Sequence, residues 1–340
     1  MNDAGQPLVS IVMPSYNTAA FIGQAIESVQ RQTWPHWELI IADDGSTDDT
    51  RIVAESYAAR DPRIRFHSVP RTGKPAGTRN AGLRLTQGNF ITFLDSDDEY
   101  EPDALMILLL PMLQDPYKTA VYGFNSEINE HGELLRSHMP NLIPVGEGRY
   151  KLSARAVPCW RNIILGWLPN NVGGMMMRRS TFERVGFFDE SLMTAEDYQY
   201  LVRLYKDSPA GLTILPEVVM RYRIHTASIT KTVHRFDELF DSERRMLDWL
   251  FEESGIPNEL KRFRSQKFAL AYKFLASIRL RHHQVGVARK LLTQAWHEPC
   301  IHWQDWTRFC LMPMVRTFMP RNLDARLTAI RYGTRQRQTA

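Results

Sequence analysis

The feature that most constrains this 340-residue chain is a run of short apolar stretches, each closed by polar residues and followed by a helical pattern. Residues 8–13 are apolar, rich in β-formers and stopped by Pro14, which reads as a buried strand. Residues 19–32 then carry helical periodicity, with Phe21, Ile22, Ala25, Ile26 and Val29 on one face. The pattern repeats in strands over 37–42, 63–68 and 89–94, separated by helices over 47–58 and 76–85. Such alternation predicts a parallel sheet covered by helices. In these sheets ligands bind beyond the carboxyl ends of the strands. Here those ends carry Pro14-Ser15-Tyr16-Asn17, Asp43-Asp44-Gly45-Ser46 and Asp95-Ser96-Asp97-Asp98.

Further along, strands are expected at 120–125, 172–177 and 218–224, a helix at 194–206, and loops or a hairpin across 127–150. Beyond 235 strand signals vanish, and 236–253, 258–279 and 285–296 read as helices. A domain change is therefore placed near residue 235. With 44% hydrophobic and 24% charged residues, the composition is that of a globular protein with a real core. The formal net charge of +4 permits attraction to diphosphates or anionic membranes without arguing for nucleic acid. Cys159, Cys300 and Cys310 are sparse and irregular, which suggests a reduced compartment. No signal peptide is read at the N-terminus, and the longest apolar run, 104–113, is too short to span a bilayer.

Five segments carry chemistry. Asp95 and Asp97, two apart on a strand-to-loop turn, suit a hard divalent cation and a ribose; an acidic helix cap is the bland alternative. Asp44 lies where a carboxylate can either accept the N3–H of uracil or thymine or bond a ribose, while Ser46 through Asp49 read as capping. Arg79, in Gly77-Thr78-Arg79-Asn80-Ala81-Gly82, pairs either with a diphosphate or with an acidic residue of the site. Glu196-Asp197 opens a helix, where an aspartate serves either as a general base or as a dipole partner. His225, after the last strand, is either a metal or diphosphate ligand or a turn residue. There is no G-x-G-x-x-G, no G-x-x-x-x-G-K-[ST] and no H-E-x-x-H. His297, Cys300 and His302, beside Trp296 and Trp303, read as packing at a helix end.

In order, these segments resemble the family 2 glycosyltransferases of the GT-A fold, over residues 8–230. The resemblance implies an α/β, Rossmann-like GT-A domain over 1–234, with a nucleotide-sugar half (8–125), an acceptor half (126–234) and a C-terminal α-helical appendage (235–340). It implies an inverting, metal-dependent transfer of one sugar from a UDP-, dTDP- or GDP-sugar to a saccharide or lipid-linked acceptor, in bacterial-type polysaccharide or glycolipid synthesis. Pro14, Tyr16, Asn17, Asp44, Arg79, Asp95 and Ser96 would hold the donor. Asp97, with Asp95 and His225, would hold Mn2+ or Mg2+, and Asp197, with Glu196, would supply the base. The Q-x-x-R-W motif of processive synthases is absent, which points to single-sugar transfer. The stretch 71–77 departs from the usual spacing before the Arg79-Asn80 pair, and 235–340 match no motif of the family.

Two other classes compete with this reading. A sugar nucleotidyltransferase would need a Gly-rich basic loop after 8–13, which is missing. A non-catalytic nucleotide-sugar binder would not need the acidic set. Acceptor contacts are expected on the loops of 127–168. The aromatic and arginine-rich stretch 303–319 reads either as packing against the other C-terminal helices or as peripheral contact with the inner face of a membrane, in an otherwise cytoplasmic protein.

Overall fold

The computed structural model describes residues 5–136, 142–146, 149–166, 168, 171–225, 236–281 and 285–297. They fall into two compact units. The first is Met1–Thr230 with Asp241–Ile256, and the second is Lys231–Phe240 with Pro257–Ala340.

The first unit opens with β1 (Val9–Ser15), α1 (Ile22–Gln30), β2 (Trp37–Asp43), α2 (Thr50–Ala58), β3 (Ile64–Ser68), α3 (Pro75–Leu83) and β4 (Phe90–Phe93). Their β-branched and aromatic runs pair in parallel in the order β3-β2-β1-β4. Every residue of β2 is buried, as expected for a strand covered on both faces. Then come β5 (Glu99–Tyr100), α4 (Ala104–Gln114), β6 (Ala120–Ile128), β7 (Leu134–Arg136), β8 (Leu142–Gly146), β9 (Arg149–Leu152), α5 (Trp160–Ile164), β10 (Met175–Arg178), α6 (Arg179–Val185), α7 (Glu196–Asp207) and β11 (Leu212–Arg223).

The sheet continues from β4 as β10-β6-β11-β5, with β7 on β6, while β8 and β9 form a separate hairpin. The four alternating strands β1–β4 are parallel, as their alternation with helices predicts, and the sheet becomes mixed only where it continues beyond β4. Strand β10 runs antiparallel to both β4 and β6. It is reached after the β7–β9 excursion, not through a crossover helix, so nothing forces it parallel. A Cβ on Gly174, just before β10, would lie 2.8 Å from the Gly123 carbonyl on β6. Glycine alone lets the two strands meet there.

Strand β11 begins earlier than the expected 218, because Leu212–Ile214 pair with β6 before a register shift at 214–218. Pro216 sits in that shift, which is where a strand tolerates proline. The apolar run 104–113 forms α4, an all-round hydrophobic helix buried along Ala104, Leu105, Leu108, Leu109 and Met112. Helix α3 presses close to β1: a Cβ on Gly82 would lie 2.6 Å from Val12 Cγ1. That close approach lays Arg79 and Asn80 over the sheet, with both side chains buried.

Helix α8 (Phe236–Glu252) follows, and its residues from Asp241 onward belong to the first unit. In the second unit α9 (Arg264–Arg281) packs on α10 (Val285–His297) through Leu275, Ala276, Ala288, Leu291 and Leu292. The expected helix from 258 begins as a 3-10 turn over Asn258–Phe263. Among the described residues no helix is long and apolar enough to cross a membrane. Residues 226–230 of the His225 segment, His302, Cys300, Cys310 and the stretch 303–319 lie outside the described residues.

Candidate functional site

The loop after β1 is locked to the loop after β2. Ser15 Oγ donates to Asp43 Oδ1 at 3.0 Å, and the Ser46 amide donates to Asp43 Oδ2 at 2.9 Å. Asn17 adopts a left-handed φ of 52°, a conformation asparagine tolerates better than most residues. Its Oδ1 accepts from the Thr47 amide at 2.8 Å, and its own amide donates to Ser46 Oγ at 2.9 Å. Asp48 fills the turn, accepting from the amides of Ala19 and Thr50. Burial works to raise its carboxyl, but these hydrogen bonds outweigh that and hold it low.

Asp44 is buried and accepts from the Thr72 and Gly73 amides, one on each oxygen. It thus holds the loop after β3. From that loop Arg71 stacks over the half-exposed Tyr16 ring and donates to its hydroxyl at 2.8 Å. Pro14 pairs with Ala42 at the β1–β2 ends. The expected donor-side residues Pro14, Tyr16, Asn17 and Asp44 therefore share one rim, with Tyr16 and Arg71 forming its open face.

The acidic loop after β4 is the centre of the arrangement. Arg79 Nη2 forks onto both oxygens of Asp95, at 2.7 and 3.0 Å. Its Nη1 reaches Glu196, 117 residues away, at 2.6 Å. Burial alone would lower the guanidinium, but the two carboxylates more than offset it, so Arg79 is held firmly charged. Of the two partners offered for Arg79 by the sequence, the structure supplies acidic residues of the site. Ser96 Oγ accepts from Thr18 Oγ1 at 2.9 Å, tying the acidic loop to the β1 rim. His225 Nε2 and Asp97 Oδ2 meet at 2.9 Å, across 128 residues. Asp98 is buried, and one of its oxygens has no partner among the described residues. Burial first, then the neighbouring Asp97 and Asp95, push its carboxyl well up.

Facing this loop, α7 begins with Glu196-Asp197. The residue before it, Ala195, sits at φ 63°, an αL conformation that costs a non-glycine residue about 1–2 kcal/mol. Neighbouring residues impose that conformation. Ser242 Oγ on α8 accepts from the Met193 and Thr194 amides and donates to the Thr194 carbonyl. Asn80 grips the same segment from α3: its Nδ2 donates to the Phe188 carbonyl and Glu190, and its Oδ1 accepts from the Phe188 amide. Glu196 is buried against Arg79, whereas Asp197 keeps a partly exposed face while protein crowds its other sides. One Asp197 oxygen accepts from the Tyr198 amide at 2.6 Å. Burial, then the Glu196 charge, raise the Asp197 carboxyl to about 7, with Arg79 pulling the other way. That value suits proton transfer near neutrality.

The structure brings together Asp95, Asp97, His225, Arg79, Glu196 and Asp197, and ties Ser96 to them. It also shows Thr18, Asn80, Thr72 and Ser242 as supports that the sequence did not reveal. Only the Arg79-Asn80 adjacency hinted at Asn80. The others act through contacts distant in sequence, without a pattern. Among the described residues no group of three or more His, Cys, Asp or Glu side chains forms a protein cage for a metal. The Asp97–His225 pair still fits a cation. The Asp97 carboxylate is the donor type that suits Mg2+ or Mn2+, and the His225 imidazole beside it at 2.9 Å would be a second ligand, the remainder coming from the donor's phosphates and water.

Known proteins place the chain. Residues 10–186 match the family described as "Glycosyl transferase family 2". Over 129 residues the chain is 40% identical to the chondroitin synthase of Escherichia coli, covering 38% of this chain and 19% of that one. Structure 1–349 of S. aureus TarS in complex with UDP-GlcNAc superposes with a TM-score of 0.57 at 15% identity, covering 85% of this chain and 89% of that one. The mannosyltransferase PcManGT from Pyrobaculum calidifontis, in complex with GDP-Man and Mn2+, gives a TM-score of 0.56 at 17% identity, covering 92% and 88%. The fold is thus the GT-A glycosyltransferase fold with C-terminal helices. The chain belongs to glycosyl transferase family 2. It spans less than half the length of the curated relatives it matches.

Proposed function

We propose that the protein transfers one sugar from a nucleoside diphosphate sugar to a hydroxyl of a saccharide or lipid-linked acceptor, with inversion, in polysaccharide or glycolipid synthesis. The observation that carries this reading is the Arg79 bridge, which sets Asp95 at the end of β4 against Glu196 at the head of α7. It gathers a donor-side acidic loop and a candidate base into one site.

In this reading the Tyr16–Arg71 rim receives the nucleobase, and Asp44 shapes that rim by holding the Thr72–Gly73 backbone. Asp95 and Ser96 face the ribose and sugar. Asp97 and His225 would hold Mn2+ or Mg2+, which when bound offsets the charge growing on the departing diphosphate, a contribution of several kcal/mol. Asp197 takes the acceptor proton as the hydroxyl attacks the anomeric carbon, and general-base help of this kind contributes ~10²–10⁴ in rate. Glu196 is paired with Arg79 and so orients the helix head. A cytoplasmic location with peripheral contact at the inner face of a membrane accompanies this reading, since lipid-linked acceptors lie there.

The test is a panel of UDP-, dTDP- and GDP-sugars, scored for binding and for slow release of nucleoside diphosphate with Mn2+. Binding of one donor class with metal-stimulated release supports transfer. Binding without release under any acceptor or metal condition would leave a nucleotide-sugar binder.

A further inference from the structure

Arg223, the last residue of β11, is a large side chain with no exposed surface. All five of its guanidinium donors are used. Nε donates to the Asp97 carbonyl at 2.8 Å. Nη1 donates to the Asn129 and Glu130 carbonyls, each at 3.2 Å, in the turn between β6 and β7. Nη2 donates to Gln24 Oε1 on α1 at 2.8 Å and pairs with Glu99. The Arg223 amide donates to Asp98 Oδ1 at 2.8 Å, and the guanidinium lies over the Phe21 ring.

Three separate segments therefore meet on one side chain, the stretch 97–99, the β6–β7 turn and α1, and the Arg223 amide adds a bond to the Asp98 side chain. Two residues on, along the same extended backbone, His225 meets Asp97 Oδ2 and packs on the same Phe21 ring, with centroids 4.7 Å apart. Of the five acceptors only Glu99 carries charge. A planar fork with five fixed donors fits this set of carbonyls, and a lysine ammonium with three does not.

We propose that Arg223 is a positioning residue that sets the separation of Asp97 and His225, and so the affinity of the site for its divalent cation. The inference rests on the reading of Asp97 and His225 as cation ligands. Arg223 touches no ligand itself. It fixes the carbonyl of Asp97 on one side and the end of β11, two residues before His225, on the other, so the two ligating atoms are brought together from both sides. Outer partners that orient ligands of a cation in this way alter its affinity by roughly 10–100-fold when removed.

The experiment uses full-length protein and Mn2+ alone, with free Mn2+ measured by electron paramagnetic resonance, alongside thermal melts. The variants are Arg223→Lys, Glu99→Gln, His225→Ala and the Arg223→Lys/His225→Ala double. Arg223→Lys is expected to weaken Mn2+ binding by roughly 10–100-fold in protein that still melts cooperatively. Glu99→Gln keeps an acceptor for Nη2 and is expected to weaken binding less than threefold, about the limit of the measurement. In the His225→Ala background Arg223→Lys should weaken binding by much less than in the parent, because the pair whose spacing it sets is already broken.

A folded Arg223→Lys with unchanged Mn2+ affinity would overturn the proposal and leave the arginine as core packing. The same loss in both backgrounds would also overturn it, since the arginine would then act independently of His225. If Arg223→Lys does not fold, the comparison passes to Gln24→Ala, which removes one acceptor of the fork. It is expected to weaken Mn2+ binding by ~threefold or more, and unchanged affinity there overturns the proposal. Absence of Mn2+ binding by the parent protein would overturn the cation reading and this inference together, an outcome distinct from the others.

Discussion

Each end of the acidic site rests on a buried arginine, and the two are used differently. Arg79 spans Asp95 and Glu196, so its charge is matched by two carboxylates, and its Nε has no partner among the described residues. Arg223 has every donor filled, almost all by neutral oxygens. The first arginine sets charge where a proton must move, and the second sets geometry where an ion must fit. Removing Arg79 should therefore disturb pH behaviour and stability, because it leaves the buried Glu196 and the half-buried Asp95 without the charge that bridges them. Removing Arg223 should disturb cation affinity.

The largest expected effect lies at the cation end. Asp97→Ala should abolish transfer and remove the metal dependence of donor binding, while the circular dichroism melt stays close to the parent's. Full activity in the variant, or in excess chelator, would break the comparison at that end.

At the base end, Asp197→Asn should leave donor affinity intact while turnover falls by about 10²–10⁴. Activity of the parent should rise as pH passes through about 7, the Asp197 value, and the variant should lose that limb. Stability should move the opposite way. The folded carboxyl holds its proton up to about 7, against an ordinary 3.8. Its contribution is fully present below about 4 and is lost as pH rises through 7. Melting temperatures at pH 5 and 8 should thus differ less in Asp197→Asn than in the parent. Equal pH slopes would move the base assignment elsewhere.

Arg79→Met tests the charge side directly. Leaving the buried Glu196 without its partner should cost about 3–5 kcal/mol in urea unfolding. In whatever protein folds, the activity limb should shift to higher pH, because Arg79 no longer favours ionised Asp197. The smallest effect is expected at Ala195. Ala195→Gly relieves an αL alanine, and should stabilise by up to about 1 kcal/mol after the extra chain entropy of glycine is deducted. A loss of stability on that substitution would mean that the Ala195 methyl packs better than its backbone suggests.

Much of this architecture was legible in the sequence because it is local. Strand ends stopped by Pro14, Asp43-Asp44 and Asp95-Ser96-Asp97 mark where a ligand must lie in any open α/β sheet, and β1 to β4 fall within a residue or two of expectation. What escaped was non-local. The antiparallel entry of β10 leaves no trace in a strand's apolar pattern, which is alike in both directions. The apolar run of α4 carries no periodicity on which to recognise a helix. Arg79 is flanked by Gly77, Thr78 and Asn80, and nothing in that stretch tells whether a guanidinium turns to a diphosphate or to carboxylates 16 and 117 residues away. Arg223 stands in the same segment as His225, yet nothing in the sequence assigns it a role, since its acceptors are mostly main-chain carbonyls that any sequence possesses.

The placement of β10 has a consequence for how the chain acquires its shape. Strands β4 and β6 are joined only through β10, which arrives some eighty residues after β4 and fifty after β6. Until Met175–Arg178 leave the ribosome, two hydrophobic strand edges stay open, and such edges template pairing with other chains. Closure waits on contacts between residues far apart in sequence, which are slow to form. A nascent or truncated chain ending between Ile128 and Met175 should consequently be sticky and chaperone-dependent, and one extended through β11 to Arg223, which covers the other edge of β6, much less so. The strand that joins the two parts of the sheet would then act as the first checkpoint in its biogenesis.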